Sequence, residues 1–246
     1  MRWTGINAID RIIDGEVQQA VRGLASRFLP GGDPVPPSSS DAERFMAQII
    51  AAPYGLYPVL GAKGSGKTSW SLALAESIAQ YRHVKGLACP LVAVGIKDSL
   101  PPHWGHAQPE GLEGLPLHAV VVLDDAGLDF SSRDYHTPAS RALREALAVL
   151  RHQQQTYIVN SHSSSQLDRY FLEADAIFLK WPSLLFEGTE RSALQGKMQE
   201  SLAAFQSLPK SQWPSHIYAM SITGFQGLIR YDPPPYWGDR LSRNKA

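Results

Sequence analysis

The stretch Val59-Leu60-Gly61-Ala62-Lys63-Gly64-Ser65-Gly66-Lys67-Thr68-Ser69-Trp70-Ser71-Leu72-Ala73-Leu74-Ala75 decides the fold. It fits G-x-x-x-x-G-K-[ST] between the end of an apolar strand and the start of a helix, the context in which this pattern binds phosphate. The loop has to curl with its N–H groups pointing inward around phosphate oxygens, and glycines give the backbone that freedom. Gly61, Ala62, Lys63, Gly64, Ser65, Gly66, Lys67, Thr68 and Ser69 are therefore the expected nucleotide-binding segment. Lys67 should reach the β- and γ-phosphates, and the Thr68 hydroxyl should ligate magnesium. Lys63 lies in the same loop, where a solvated surface lysine is the simpler reading.

About fifty residues further on, Ala119-Val120-Val121-Val122-Leu123-Asp124-Asp125 is a buried-strand pattern that ends abruptly in two acids. After a complete phosphate cradle this reads as a Walker B element. Asp124 is expected in the magnesium shell, partly through water, and Asp125 at the attacking water. The pair turns a binding site into a hydrolase site, with ATP and Mg2+ as substrate and metal.

Outward from these motifs the chain alternates short apolar runs with helical stretches, the signal for an α/β fold with a mainly parallel sheet flanked by helices. Strands are expected at 57–60, 91–96, 119–123, 157–160 and 176–179, and helices at 67–81, 139–152, 165–172 and 189–207. Pro101 to Pro116, rich in Pro, Gly and His, reads as a loop, and a hairpin is expected at 217–222 and 227–231. Apolar residues at helical spacing over 6–28 predict an N-terminal helical arm, and the Pro/Gly/Ser run over 30–40 a linker. The expected organisation is thus arm and linker over 1–40, a P-loop ATPase core over 41–182, and a C-terminal helix and hairpin over 183–246 packed on that core.

Composition bounds the rest. A chain of 246 residues with 43% hydrophobic residues can bury one sizeable α/β core. Cys89 is the only cysteine, so an intrachain disulfide is excluded and a reducing, cytoplasmic setting expected. No apolar run reaches the roughly 20 residues that span a bilayer. Basic and acidic residues balance at 23 each, so any DNA contact must be local, as in a ring whose subunits each add a few cations to a collar.

The order of cradle, paired acids, helix, Arg151, apolar strand and the polar end Asn160-Ser161-His162 resembles the FtsK/HerA-type DNA-pumping ATPases, with a RecA/FtsK-like P-loop core. The resemblance puts Arg151 on the arginine that precedes the strand, where it would act on a neighbouring subunit's nucleotide, and puts Ser161-His162 on a polar pair; Arg144, on the same helix, is the next candidate for that arginine role. The chain has His162 where that family often has Gln, so His162 and Asn160 both stand as contacts for the γ-phosphate. The segment from Ser221 to Trp237, a strand leading into Pro233-Pro234-Pro235-Tyr236-Trp237, is similar to the end of small viral packaging ATPases.

Within the FtsK/HerA-type ATPases this favours the genome-packaging proteins of double-jelly-roll viruses, such as the turreted icosahedral archaeal viruses. It implies double-stranded DNA as partner, a homo-oligomeric ring of pentameric or hexameric kind, a capsid vertex, and a place in the host cytoplasm or virion. Lys97, Arg133, Lys180, Arg191 and Lys197 are then the possible DNA-facing cations. The zonular-occludens-toxin-like assembly ATPases of filamentous phage share the core order and are the alternative, as is a non-motor P-loop protein.

Overall fold

The computed structural model describes residues 19, 23–24, 39–96, 100–125, 137–164, 174–182, 192–221 and 224–238. Most of the expected N-terminal arm and linker, the helix expected over 165–172, and the cations Lys97, Arg133 and Arg191 lie outside the described residues.

Eight strands form one sheet: β1 (Gly55–Leu60), β2 (Leu91–Val94), β3 (Trp104–His106), β4 (Val120–Leu123), β5 (Thr156–Ser161), β6 (Ala176–Leu179), β7 (His216–Ser221) and β8 (Gln226–Arg230), in the order β3-β2-β4-β5-β1-β6-β7-β8. The run from β3 to β6 pairs in parallel, and β6-β7-β8 pairs antiparallel. The C-terminal hairpin therefore continues the sheet that carries the cradle. Among the described residues four helices cover it: α1 (Ser39–Ala51), α2 (Lys67–Val84), α3 (Pro138–Gln153) and α4 (Ser192–Gln206).

Strand periodicity sorts the core into two layers. Val120, Val122 and Ile158 point to a cluster with Phe45 and Met46 of α1 and Trp70, Leu74 and Ile78 of α2. Val121, Leu123, Tyr157 and Val159 point the other way, toward Leu143 and Leu150 of α3 and Met198 and Phe205 of α4. A sheet covered on both faces needs continuous apolar strands, which is why β2, β4 and β6 are buried at every position.

Two expectations over the connections are corrected. The expected loop at Pro101 to Pro116 contains β3 and a 3-10 helix over Pro109–Gly114. Trp104 pairs with Leu91 and is buried, which anchors an edge strand too short to show alternation. Lys180, expected at a DNA-facing surface, is wholly buried at the carboxyl end of β6.

The order of strands positions the site. β5 lies between β1, whose carboxyl end opens into the cradle, and β4, whose carboxyl end carries Asp124. In parallel register Leu60 stands opposite Ser161 and Leu123 opposite Val159, so the ends of three strands meet at one edge of the sheet, where ligands bind in open α/β folds.

Candidate functional site

The cradle follows β1 and ends at Gly66, which caps α2 in the left-handed conformation with φ 89°. A side chain would be strained there, and Gly66 is what lets the chain reverse directly into the helix. Its carbonyl accepts the Trp70 N–H at 3.1 Å, the first bond of α2. Gly61 is required for a different reason. A Cβ there would lie 2.6 Å from the Lys180 Cβ, so the loop can approach the end of β6 only without a side chain. The helix start leaves N–H groups without intrahelical partners and presents the positive end of the dipole to the loop.

Lys67 folds back across this loop. Its ammonium donates to the carbonyl oxygens of Gly61 and Ala62, each at 3.0 Å, and meets His162 Nδ1 at 3.1 Å. An ammonium only donates, so Nδ1 must accept; the ring proton is thereby assigned to Nε2, which stands 3.2 Å from Asp125 Oδ1. Lys67, His162 and Asp125 thus stand in one line of polar contacts, the first a hydrogen bond and the second a close approach of Nε2 to the carboxylate without hydrogen-bond geometry.

A second chain lies one step deeper. Asp124 Oδ1 accepts from the Thr68 hydroxyl at 2.9 Å and from Asn160 Nδ2 at 2.9 Å. Asn160 Oδ1 in turn accepts from Ser71 Oγ at 2.6 Å. Asn160 is fully buried and both ends of its amide are engaged, so within this arrangement it orients Asp124. His162, partly exposed and touching Lys67, is the strand-end residue in the position that faces the cradle. Ser71 was missed in the sequence. Its only signal is its place four residues after Lys67, on the same face of α2.

Nucleotide and magnesium fit these donors. The buried Ser65 hydroxyl in the middle of the cradle has no hydrogen-bond partner among the described residues, which suits a loop made to receive phosphate oxygens. Thr68 and Asp124 offer hard oxygen ligands. Among the described residues no group of three or more His, Cys, Asp or Glu side chains gathers around a point, so an ion here would be shared with phosphates and water, as magnesium commonly is.

Arg151 stands apart. It lies in the last turn of α3, exposed, with its guanidinium 5.6 Å from the ring centre of Tyr54. Tyr54 precedes β1 and Thr156 begins β5, so Arg151 sits at the amino ends of the strands while the cradle sits at their carboxyl ends. Six residues of β1 separate them, roughly 20 Å along an extended strand. Arg144, the other arginine weighed for this role, is half-buried and bonds the Ser140 carbonyl one turn back on α3. Lys63 is exposed, and Ser69 is buried at the start of α2.

No protein-family model and no curated protein matches the chain by sequence. Solved structures do match by fold. The DNA-packaging ATPase from Sulfolobus turreted icosahedral virus superposes with a TM-score of 0.50 at 14% identity, over 72% of this chain and 98% of that one. The genome-packaging NTPase from Sulfolobus turreted icosahedral virus 2, in complex with AMPPCP, superposes with a TM-score of 0.51 at 16% identity, over 73% and 99%. At this identity the likeness is one of fold: the chain has the α/β architecture of a P-loop ATPase and resembles viral packaging ATPases.

Proposed function

We propose that the chain is an ATP-hydrolysing motor that moves double-stranded DNA, in the manner of a viral ATPase filling a preformed capsid. The observation that carries this reading is the joining of two polar chains, Lys67-His162-Asp125 and Thr68-Asp124-Asn160, at the mouth of one phosphate cradle. The fold likeness, spanning nearly the whole length of two packaging ATPases, supports the choice of DNA as the load. Residues 41–182 would be the motor core, and 183–246 an extension that braces it. The working form would be a homomeric ring in the host cytoplasm or on the virion, at a capsid vertex.

The residues divide the work as follows. Backbone N–H groups of the cradle and the dipole of α2 hold the phosphates. Lys67 exchanges its two loop carbonyls and His162 for the β- and γ-phosphate oxygens. Magnesium, held by Thr68 and Asp124, would neutralise phosphate charge as the bond to the γ-phosphoryl group breaks. Asp125 accepts the proton of the attacking water, and His162 holds that carboxylate in place through Nε2; freed from Lys67, its Nδ1 would donate to the γ-phosphate only once it too carries a proton, because phosphate oxygens accept. Asn160 keeps Asp124 turned toward Thr68.

Asn160→Ala tests that last role. With its positioning partner gone, Asp124 should hold the metal less well, and the magnesium concentration needed for half-maximal turnover should rise about 10- to 100-fold. An unchanged magnesium requirement would remove Asn160 from the site. The function itself is tested by measuring ATPase activity of the assembled chain with and without double-stranded DNA, using Lys67→Ala as the background. Stimulation by duplex DNA is the expected result, and a rate indifferent to DNA in an assembled ring would reject the motor.

A further inference from the structure

Behind the cradle, on the side of the C-terminal hairpin, lies a buried cation that the hydrolytic scheme leaves unused. Lys180 is fully enclosed. Its ammonium donates to the Pro214 and His216 carbonyl oxygens at 2.7 Å each and to the Tyr231 hydroxyl at 3.0 Å, and it lies 4.4 Å from the centre of the Tyr231 ring. Tyr231 passes its own proton on, donating to the Gly66 carbonyl at 3.3 Å. That carbonyl is the one that starts α2 by accepting the Trp70 N–H, and the Trp70 and Tyr231 rings meet edge to face at 5.1 Å.

The charges around this ammonium are one-sided. Lys67 on α2 repels it, His216 on β7 supplies a carbonyl and an imidazole, and Tyr231 beyond β8 supplies the phenol. No carboxylate is within ion-pair distance of it among the described residues. Leaving water without a counter-ion is costly for an ammonium. Burial first, and Lys67 second, hold its pKa well below the ordinary lysine value.

We propose that Lys180 and Tyr231 are positioning residues for the nucleotide: the ammonium and the phenol together hold the Gly66 carbonyl, and with it the start of α2, in the phosphate-receiving arrangement, and the bound phosphates supply the ammonium's counter-charge. The inference rests on the nucleotide reading of the cradle. The hydrogen-bond arithmetic makes the link directional. As an ammonium, Lys180 fills three acceptors and leaves the phenolic proton to Gly66. As a neutral amine it has two protons for the two carbonyls and a lone pair that accepts from Tyr231, so the phenol turns away from Gly66. Nucleotide binding thus favours the ammonium and draws a proton onto Lys180, and rising pH weakens binding.

The test is titration calorimetry of the full chain with magnesium and ATPγS, repeated in buffers of different ionisation enthalpy along a rising pH series. Wild type should take up protons on binding and lose affinity as pH rises through a range below that of ordinary lysine. Lys180→Met should abolish that uptake and flatten the pH dependence. Tyr231→Phe, which keeps the ring against Trp70 and removes only the hydroxyl, should bind about tenfold more weakly, the size of one hydrogen bond to a charge-polarised group. Proton uptake that persists in Lys180→Met, or wild-type affinity in Tyr231→Phe, overturns the proposal even where the first variant folds poorly. A wild-type chain that binds no ATPγS is a different failure, because it removes the nucleotide site itself.

Discussion

Lys67→Ala is expected to leave a folded chain that no longer hydrolyses ATP, with turnover down roughly a thousandfold or more. In the free protein the Lys67 ammonium is buried, held by two loop carbonyls and a ring nitrogen, and repelled by Lys180 behind the loop. Its loss unpairs two carbonyls at the rim, worth about 1 kcal/mol each. Removing a cation from beside Lys180 offsets part of that cost, so thermal unfolding should shift little. On the proposed reading the same group would be the cation that reaches the β- and γ-phosphates, and no other described lysine is placed to substitute for it: Lys63 is exposed on the loop and Lys180 is bound to the hairpin. The measurement is ATP turnover beside a melting curve. Full turnover with a normal melt would show that the cradle does not serve hydrolysis.

The core of this site was legible because its chemistry is local. The cradle needs consecutive residues, and Asp124-Asp125 stand at the end of a strand whose four apolar residues announce themselves. Strand boundaries were read within two residues for β1, β2, β4, β5 and β6, since a sheet buried on both faces writes its strands as apolar runs. What stayed illegible is what distant segments decide. Trp104 marks β3 only because Leu91 lies beside it. The amphipathic spacing of Phe45, Met46, Ile49 and Ile50 was present in the sequence and carries α1, although only the start of the core near Asp41 was read there. Lys180 looked like a surface cation because the two carbonyls and the phenol that enclose it are 34 to 51 residues away. The roles of Asn160 and His162 could be separated only once β5 was seen to lie between β1 and β4.

Arg151→Ala should lower turnover of the assembled protein about a thousandfold while nucleotide affinity stays unchanged, the effect of losing an arginine that stabilises transition-state charge from a neighbouring subunit. The geometry rules out its own nucleotide, because Arg151 and the cradle stand at opposite ends of the strands. Its exposed guanidinium lies over Tyr54, which holds a flat cation at the surface without burying it. A purely structural stacking role is separated from this by Arg151→Lys, which keeps a cation over the ring but lacks the planar fork that grips phosphate oxygens. The lysine variant should melt like wild type and turn over as poorly as the alanine variant. Mixing supplies the stronger test. Subunits with Lys67→Ala keep Arg151, and subunits with Arg151→Ala keep the cradle, so a mixed ring contains junctions at which both intact parts meet. Two inactive preparations should therefore regain activity when assembled together, in proportion to the fraction of such junctions. Activity that never returns on mixing, or that survives Arg151→Ala alone in the assembled ring, would mean that each subunit completes its own site.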